Sequence, residues 1–450
     1  MSSLLQKLTS GFASKLCLLV TDVVGLVLMF KTMHELRVGT SISILNGPIW
    51  VIILIALITL YVMDVYRTEE PITRARLPLK TFLAVPVAAI LTTLFVYALG
   101  ISAFMPIFGR GVMPTAFLLF SFWAAGWRWL LTWLNQRYQP SMQWTLLSTD
   151  ELISPTLEEF GTDNVNVNVV IDVTKLEAHK LDWGVDENDS SHRGIVIGTQ
   201  DKLNDAIASR IMKLRFSGVK VMTLSQFSET YWSRVPVLYL KDGWFAQANG
   251  FTRIHDQVGL RFQRIVDIVA SSLGLVLFFP ILTILGIFIR VGSKGKVFYS
   301  QTRVGLYGAP FTIYKLRTMV DNAEIDGAVW ASVDDERITP FGQFLRQSRL
   351  DEWPQLWNVF KGEMSLIGPR PERPEFVEKL KSDISYYDLR HFVPPGITGW
   401  AQVMYRYGSS VEDARRKLEY DLYYIKNHSI QLDFAILVKT AMLIFKRAGR

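Results

Sequence analysis

The sequence predicts a membrane α plus α/β protein, with helices that cross or enter a bilayer followed by α/β parts. Three observations predict this. Half of the 450 residues are hydrophobic, mean hydropathy is +0.22 and only 20% of residues are charged, which is too apolar for an ordinary soluble chain. Four long apolar runs fill the first third of the chain. From about Trp144 short strand-like runs alternate with an amphipathic helical pattern.

The four runs are Ser14–Phe30, Pro48–Val65, Thr81–Ala103 and Val112–Leu134. Each is close to the ~20 residues that cross a bilayer. No small-residue cleavage site follows the first, so it does not read as a removed signal peptide. Arg67, Arg74, Arg76 and Lys80 follow the second run and only Arg110 follows the third. The positive-inside rule then puts both ends of a four-helix bundle in the cytoplasm. Asp22 and Arg128 fall in or near these runs. Such charges are functional candidates, and a structural pair is an equal reading.

"WTLLS", "VNVNVVID", "GIVIG" and "VKVMTL" read as short buried strands. "DKLNDAIASRIMKLRFSG" reads as a helix ended by Gly218. Strand–helix–strand order points to a small parallel, Rossmann-like α/β domain. Asp182–Ser191 is polar and acidic, as a surface loop would be. No catalytic set assembles here, so a structural or regulatory role is the first reading and ligand binding the second.

A fifth apolar run, Ile265–Ile289, is long enough to span. Arg253, Arg261 and Arg264 precede it, and Lys294, Lys296 and Arg303 follow. Spanning would place one basic flank outside. Pro280 removes a backbone hydrogen bond in its middle. A re-entrant hairpin bent at Phe279-Pro280 satisfies both facts. The final "LDFAILVKTAMLIFKRAGR" reads as a helix at the membrane interface, with a core helix as the competing reading.

The net charge of +7 fits an anionic lipid surface, a phosphorylated lipid or a nucleotide; no nucleic acid partner is expected. The single cysteine, Cys17, excludes a disulfide framework within the chain. There is no HExxH, P-loop or GxGxxG spacing. The polar motifs gather after the fifth run. "YSQTRVG" carries Arg303, and "YKLRTM" puts Lys315 and Arg317 two apart, on one face if they lie on a strand. Arg346 and Arg370 flank an acid pair, Asp351 and Glu352, and "PPGITGWAQV" offers a turn whose amides could approach an anion. Fixed arginines grip phosphates, and prolines on both sides of Arg370 restrict its backbone.

Pro354 favours a first helical turn, which puts Asp351 at or near an N-cap. One reading is a cap plus a dipole-complementing Glu352. The other is chemical. Neighbouring residues point about 100° apart on a helix, so the two acids should do different work. Asp351 suits a nucleophile toward phosphorus, and Glu352 a Mg²⁺ ligand together with substrate phosphates.

At these residues the chain resembles the polyprenyl-phosphate sugar-1-phosphate transferases, also called bacterial sugar transferases or monotopic phosphoglycosyl transferases. The resemblance runs from about Arg261 to Arg447, through "FQRIVDIVASSLGLVLFFPILTILGIFIR", "FYSQTRVG", "YKLRTM", "LDEWPQLWNVFKGEMSLIGPRP", "PPGITGWAQV" and "KLEYDLYYIKNHSI". It implies that Asp351 attacks the sugar-bearing phosphate of a UDP-sugar and releases UMP, and that undecaprenyl phosphate then takes the phosphosugar. It implies Glu352 as an aid to Mg²⁺ binding, Lys315, Arg346 and Arg370 near the site, and Arg370 on the uridine side. The large members of the family favour glucose, then galactose, in exopolysaccharide, capsule or O-antigen synthesis.

The expected organisation is a four-helix transmembrane bundle over 1–136, a cytoplasmic Rossmann-like domain over 137–255, and a catalytic α/β domain over 256–450. The last is anchored by a re-entrant helix at 262–290, in the bacterial inner membrane with the catalytic domain on the cytoplasmic side. Whether the protein forms a homo-oligomer is left open. Arg349 stands where family members often carry Ser or Thr, and Phe279 where small members often carry Ser. The competing readings are a glycosyltransferase that releases UDP and a non-catalytic membrane scaffold or sensor.

Overall fold

The computed structural model describes residues 11–40, 47–63, 65–66, 71–99, 111–138, 143–149, 167–172, 193–198, 205–251, 256–292, 295–320, 335–405, 408 and 410–445. The basic loop residues Arg67 and Arg110 and the acidic stretch 182–191 lie outside them. The chain divides into two compact units, Met1–Tyr231 and Trp232–Arg450.

The first unit begins with four helices: α1 (Gly11–Val38), α2 (Gly47–Val62), α3 (Pro71–Leu99) and α4 (Val112–Tyr138). They share one core, in which Leu26 and Phe30 meet Ile52, Leu60, Ala84, Ala88, Phe117 and Phe120. Their outer faces are apolar too: Leu54, Ile58, Ile90, Leu94 and Phe122 are all exposed. Apolar inside and outside is the pattern of helices in lipid. Lys15–Val38 and Leu77–Val96 are long and apolar enough to cross a membrane, whereas Ile49–Val62 is a shorter apolar helix. The 16 residues of α2 reach about 24 Å, short of a ~30 Å hydrocarbon core. Helix α4 is interrupted by Arg128. Its charge is not free: Arg128 donates two hydrogen bonds to Asp22, at 2.8 and 2.6 Å, and the Tyr66 hydroxyl donates to the same carboxylate at 2.7 Å. All three groups are buried. These two charges are thus a structural pair joining α1 to α4.

The same unit holds a four-stranded parallel sheet of order β2-β1-β3-β4: β1 Gln143–Ser148, β2 Val167–Asp172, β3 Arg193–Ile197 and β4 Lys220–Thr223. Each strand coincides with an apolar run read from the sequence. Helix α5 (Asp205–Phe216) connects β3 to β4 and packs Ile207, Ile211 and Leu214 on Leu147 and Ile195. Order 2-1-3-4, all parallel, is the doubly wound arrangement.

The second unit opens earlier than residue 256, where the sequence placed the boundary. Val235 and Val237 belong to its core, the Val235 amide bonds to Glu419 O, and the Trp400 indole bonds to Ser233 O at 2.9 Å. Arg234 and Glu419, both buried, form an ion pair. No composition change marks Tyr231 in the sequence.

Helix α6 (Gln257–Gly292) follows, 36 residues long and long and apolar enough to cross a membrane. It continues through Pro280 as one helix, so the two separate half-helices expected on either side are not seen. A proline costs one backbone hydrogen bond and a steric adjustment, which this apolar helix absorbs. The antiparallel hairpin of β5 (Phe298–Val304) and β6 (Pro310–Leu316) comes next, then α7 (Pro340–Gln347), α8 (Leu356–Lys361), β7 (Ser365–Ile367), α9 (Pro374–Asp383), β8 (Gly396–Thr398), α10 (Val411–Lys426) and α11 (Ile430–Phe445). Strands β7 and β8 pair in parallel. In α11, Leu432 and Ile436 enter the core, while Ile430, Leu437 and Met442 remain exposed. The core reading therefore holds for one face, and the other face is apolar and exposed.

Candidate active site

The acid pair lies between α7 and α8, on a 3-10 turn over Leu350–Gln355. Asp351 is not the N-cap. That position is Arg349, whose left-handed backbone (φ 55°, ψ 20°) reverses the chain after α7, and no side chain caps the turn. Gly362 (φ 92°) ends α8. Asn358, fully buried, fastens this segment to the hairpin: its Nδ2 donates to Thr312 O and to Glu363, both at 2.7 Å, and its Oδ1 accepts from the Tyr314 amide at 3.3 Å. The turn also rests on α6, where the rings of Phe278 and Trp353 lie 3.6 Å apart.

The two acids have different surroundings, as their helical offset predicts. Glu352 is ringed by cations: Arg370 Nη2 at 2.6 Å, Lys315 Nζ at 3.6 Å and Arg349 Nη1 at 3.5 Å. Burial alone would raise its pKa, but Arg370, Lys315 and Arg349 hold it well below the usual carboxylate range. The Asp351 carboxylate makes no ion pair or hydrogen bond among the described residues. Burial, and then the charge of Glu352, push Asp351 up to about 6 against the pull of Lys315, Arg346 and Arg370. Lys315 is brought down to about 8, first by burial and then by the charges of Arg370 and Arg303, with Glu352 opposing.

The predicted cations separate into groups. Lys315, on β6, and Arg370 reach Glu352. Arg346, at the end of α7, donates to the Thr318 hydroxyl at 2.9 Å while its charge acts on Asp351. Arg317 does not share Lys315's strand face: it lies one residue beyond β6, and its Nη2 points to Ile289 O on α6, at a long 3.5 Å. Arg303 holds Pro371 O at 3.1 Å and pairs with Glu372 at 3.5 Å. Its contacts thus fix the loop that carries Arg370.

The "PPGITG" glycines are not an open anion nest. A Cβ on Gly399 would lie 2.2 Å from Gly368 O, and one on Gly396 would lie 2.1 Å from Gly368 N. Glycine is needed there because two backbones pass in contact, stapling this loop to "GPRP". Among the described residues no group of three or more His, Cys, Asp or Glu could hold a metal ion. Glu352, the expected Mg²⁺ ligand, lies 2.6 Å from Arg370 Nη2 and 3.5 Å from Arg349 Nη1.

Sequence reasoning gave no role to Arg349, Asn358 or Arg390. An asparagine inside the apolar "LWNVF" was the one readable hint. Arg390 reaches Arg370 O at 2.9 Å across 20 residues of chain, which no local pattern shows.

A buried carboxylate beside a cluster of cations is an arrangement that known proteins can be compared with. The Bacterial sugar transferase family profile matches residues 258–447. The chain is 39% identical over 231 residues (51% of this chain, 53% of the relative) to an Aeromonas hydrophila protein. That relative is named UDP-N-acetylgalactosamine-undecaprenyl-phosphate N-acetylgalactosaminephosphotransferase. It is 41% identical over 185 residues (41% and 40%) to a Klebsiella pneumoniae UDP-glucose:undecaprenyl-phosphate glucose-1-phosphate transferase. The matches span about half of the first relative's length and less of the second's. An uncharacterized sugar transferase of Bacillus subtilis is 41% identical over 171 residues, 37% of this chain and 78% of that protein. With most of a relative covered at that identity, and the acid turn, Lys315 and Arg370 all inside the matched stretch, the chain belongs to the bacterial sugar transferase family.

Proposed function

We propose that the protein transfers a hexose-1-phosphate from a UDP-sugar to undecaprenyl phosphate, at the cytoplasmic face of a bacterial inner membrane. An Asp351 oxygen attacks the sugar-bearing phosphorus. The bond from that phosphorus to the bridging oxygen breaks, and UMP departs with the electron pair. A phosphate oxygen of the polyprenyl phosphate then attacks the same phosphorus, and the Asp351 carboxylate leaves. Splitting the transfer in two lets a soluble and a lipid substrate use one site in turn.

The observation that carries this reading is the asymmetry of the pair. Asp351 has no ion pair or hydrogen bond among the described residues and is only 8% exposed, beside cations that Glu352 holds in place. Those cations neutralise the phosphates in both steps. Mg²⁺, the expected cofactor, would bind with the donor's diphosphate and not on Glu352, and would add positive charge there. Among donors, glucose comes first and galactose next. The names of the Aeromonas and Klebsiella relatives make N-acetylgalactosamine and glucose the informative pair to compare.

Helix α6 is proposed to bend at Phe279-Pro280 within its helical run, and so to enter and leave the membrane on one side. Its first half is tied to the second unit by Arg264, which bonds to Val359 O and Phe360 O, and by Asp267, which accepts from the Leu366 amide. Its second half packs Leu285 and Ile289 on Leu316 and Leu345. A straight span from Arg264 to Ile289 would cover about 38 Å, more than the ~30 Å hydrocarbon core. One compact unit cannot hold points on both sides of a bilayer.

The test is UMP release by the purified protein with undecaprenyl phosphate and a panel of UDP-sugars. UMP with the preferred donor is the expected product; UDP in its place removes the reading. Labelling of Ser300→Cys from the cytoplasmic side tests the topology, and access only from outside refutes it.

A further inference from the structure

The position of Arg370 on Glu352 requires its backbone to be held, and prolines at 369 and 371 cannot donate amide hydrogens to do so. Instead, four consecutive carbonyls are captured from outside the loop. Pro369 O accepts from the Gly396 amide at 2.8 Å, Pro371 O accepts from Arg303 at 3.1 Å and Glu372 O accepts from the Val304 amide at 2.9 Å. Arg370 O, the one belonging to the active-site arginine itself, accepts from Arg390 Nη2 at 2.9 Å.

Arg390 is in turn fixed on three sides. Its Nη2 lies 2.9 Å from Asp421 Oδ2 on α10, its Nη1 donates to the Tyr387 hydroxyl at 2.6 Å, and its guanidinium lies over the Tyr387 ring at 5.1 Å. Arg390, Asp421 and Tyr387 are all buried. A buried ion pair contributes little net stability compared with apolar residues of the same volume. It is also a poor choice for merely joining a turn to a helix. What an apolar replacement could not supply is a charged donor aimed at Arg370 O.

We propose that Arg390, oriented by Asp421, is a positioning residue: it fixes the main chain of Arg370 so that one edge of that guanidinium lies on Glu352 and the rest faces the donor's phosphates. The side chain of Arg370 is 38% exposed, so that outer edge is open to a ligand. The link to donor phosphates rests on the proposed transferase reading; the link from Arg390 to Arg370 does not.

The experiment is a double-mutant cycle in the full chain with Arg390→Lys and Arg370→Lys, with Asp421→Asn as a second way of disturbing Arg390. Losing a buried charge-assisted hydrogen bond lowers donor kcat/KM by about ten- to a hundredfold for Arg390→Lys alone. In the Arg370→Lys background the same change should cost far less, because the group it positions is already altered. Equal losses in both backgrounds overturn the proposal. So does a collapse in folded yield for both Arg390→Lys and Asp421→Asn with the surviving protein fully active. An activity-free readout separates this from failure of the transferase reading. Phenylglyoxal should modify Arg370 several-fold faster in Arg390→Lys than in the wild type, as followed by peptide mass spectrometry. An unchanged rate refutes the positioning role even if no donor is ever turned over.

Discussion

Arg370 donates to Glu352 across 2.6 Å, and the Asp351 carboxylate next to it is left without an ion pair or hydrogen bond among the described residues. Two adjacent acids thus divide the work, one as the counterion of a cation cluster and the other held ready at its edge.

Asp351→Asn should abolish UMP release while the protein still folds and inserts; retained release shows that another group is the nucleophile. The same variant should gain stability at pH 8. With its folded pKa raised to about 6, Asp351 contributes stability below the unfolded value of about 4, and this is lost as pH rises through 6. The shift corresponds to at most about 3 kcal/mol at pH 8. Unfolding of variant and wild type at pH 4 and pH 8 checks the sign.

Donor kcat/KM should be bell-shaped in pH. The lower limb near 6 reports ionisation of Asp351, and the upper limb near 8 reports loss of the Lys315 charge. Lys315→Arg should move the upper limb to higher pH and leave the lower one in place. An upper limb that stays near 8 in the variant belongs to another group.

Glu352→Gln removes the shared counterion of Arg370, Lys315 and Arg349. Breaking a buried pair by deleting one partner costs about 3–5 kcal/mol, seen as a lowered Tm. UDP should restore more of that stability to the variant than it adds to the wild type, because its diphosphate replaces the missing charge. The Mg²⁺ titration midpoint should stay unchanged; a shift would return the metal to Glu352.

Arg349 sits in the left-handed region, where a side chain costs about 1–2 kcal/mol. Arg349→Gly and Arg349→Ala both lose the contact with Glu352, but only glycine relieves the backbone. The glycine variant should be about 1 kcal/mol more stable than the alanine variant. Equal stability would mean that the turn relaxes freely.

Arg128→Met alone should strip Asp22 of its partner and cost about 3–5 kcal/mol or the folded protein altogether. Asp22→Leu combined with Arg128→Met should recover much of the loss. A pair variant as poor as the single one would point to work by these charges beyond joining α1 to α4.

Much of this architecture could be read locally. The four strands announce themselves as apolar runs of strand length, and α5 by its spacing and Gly218. The different surroundings of the two acids follow from two neighbours on one turn. What could not be read depends on partners distant in sequence. Asn358 meets Thr312 across 46 residues, Arg390 meets Arg370 across 20, and Gly399 meets Gly368 through a backbone contact. Arg317 was placed with Lys315 by strand periodicity, but β6 ends between them. Pro280 lies inside one helical run, so its missing N–H, visible in sequence, does not by itself end the helix. The Asp351 cap failed for a related reason: the left-handed Arg349 starts the turn two residues earlier.

The clamp between Ser233–Val237 and α10 bears on how this chain can be recombined with its relatives. The stretch recognisable by the family profile starts at residue 258, but the folding unit starts at Trp232. A chimera joined at the start of the recognisable stretch would leave the Trp400 indole and Glu419 facing a foreign surface. A junction at Tyr231/Trp232 carries the clamp with the domain it closes. The start of the family profile and the start of the folding unit differ here, and a working graft must follow the second.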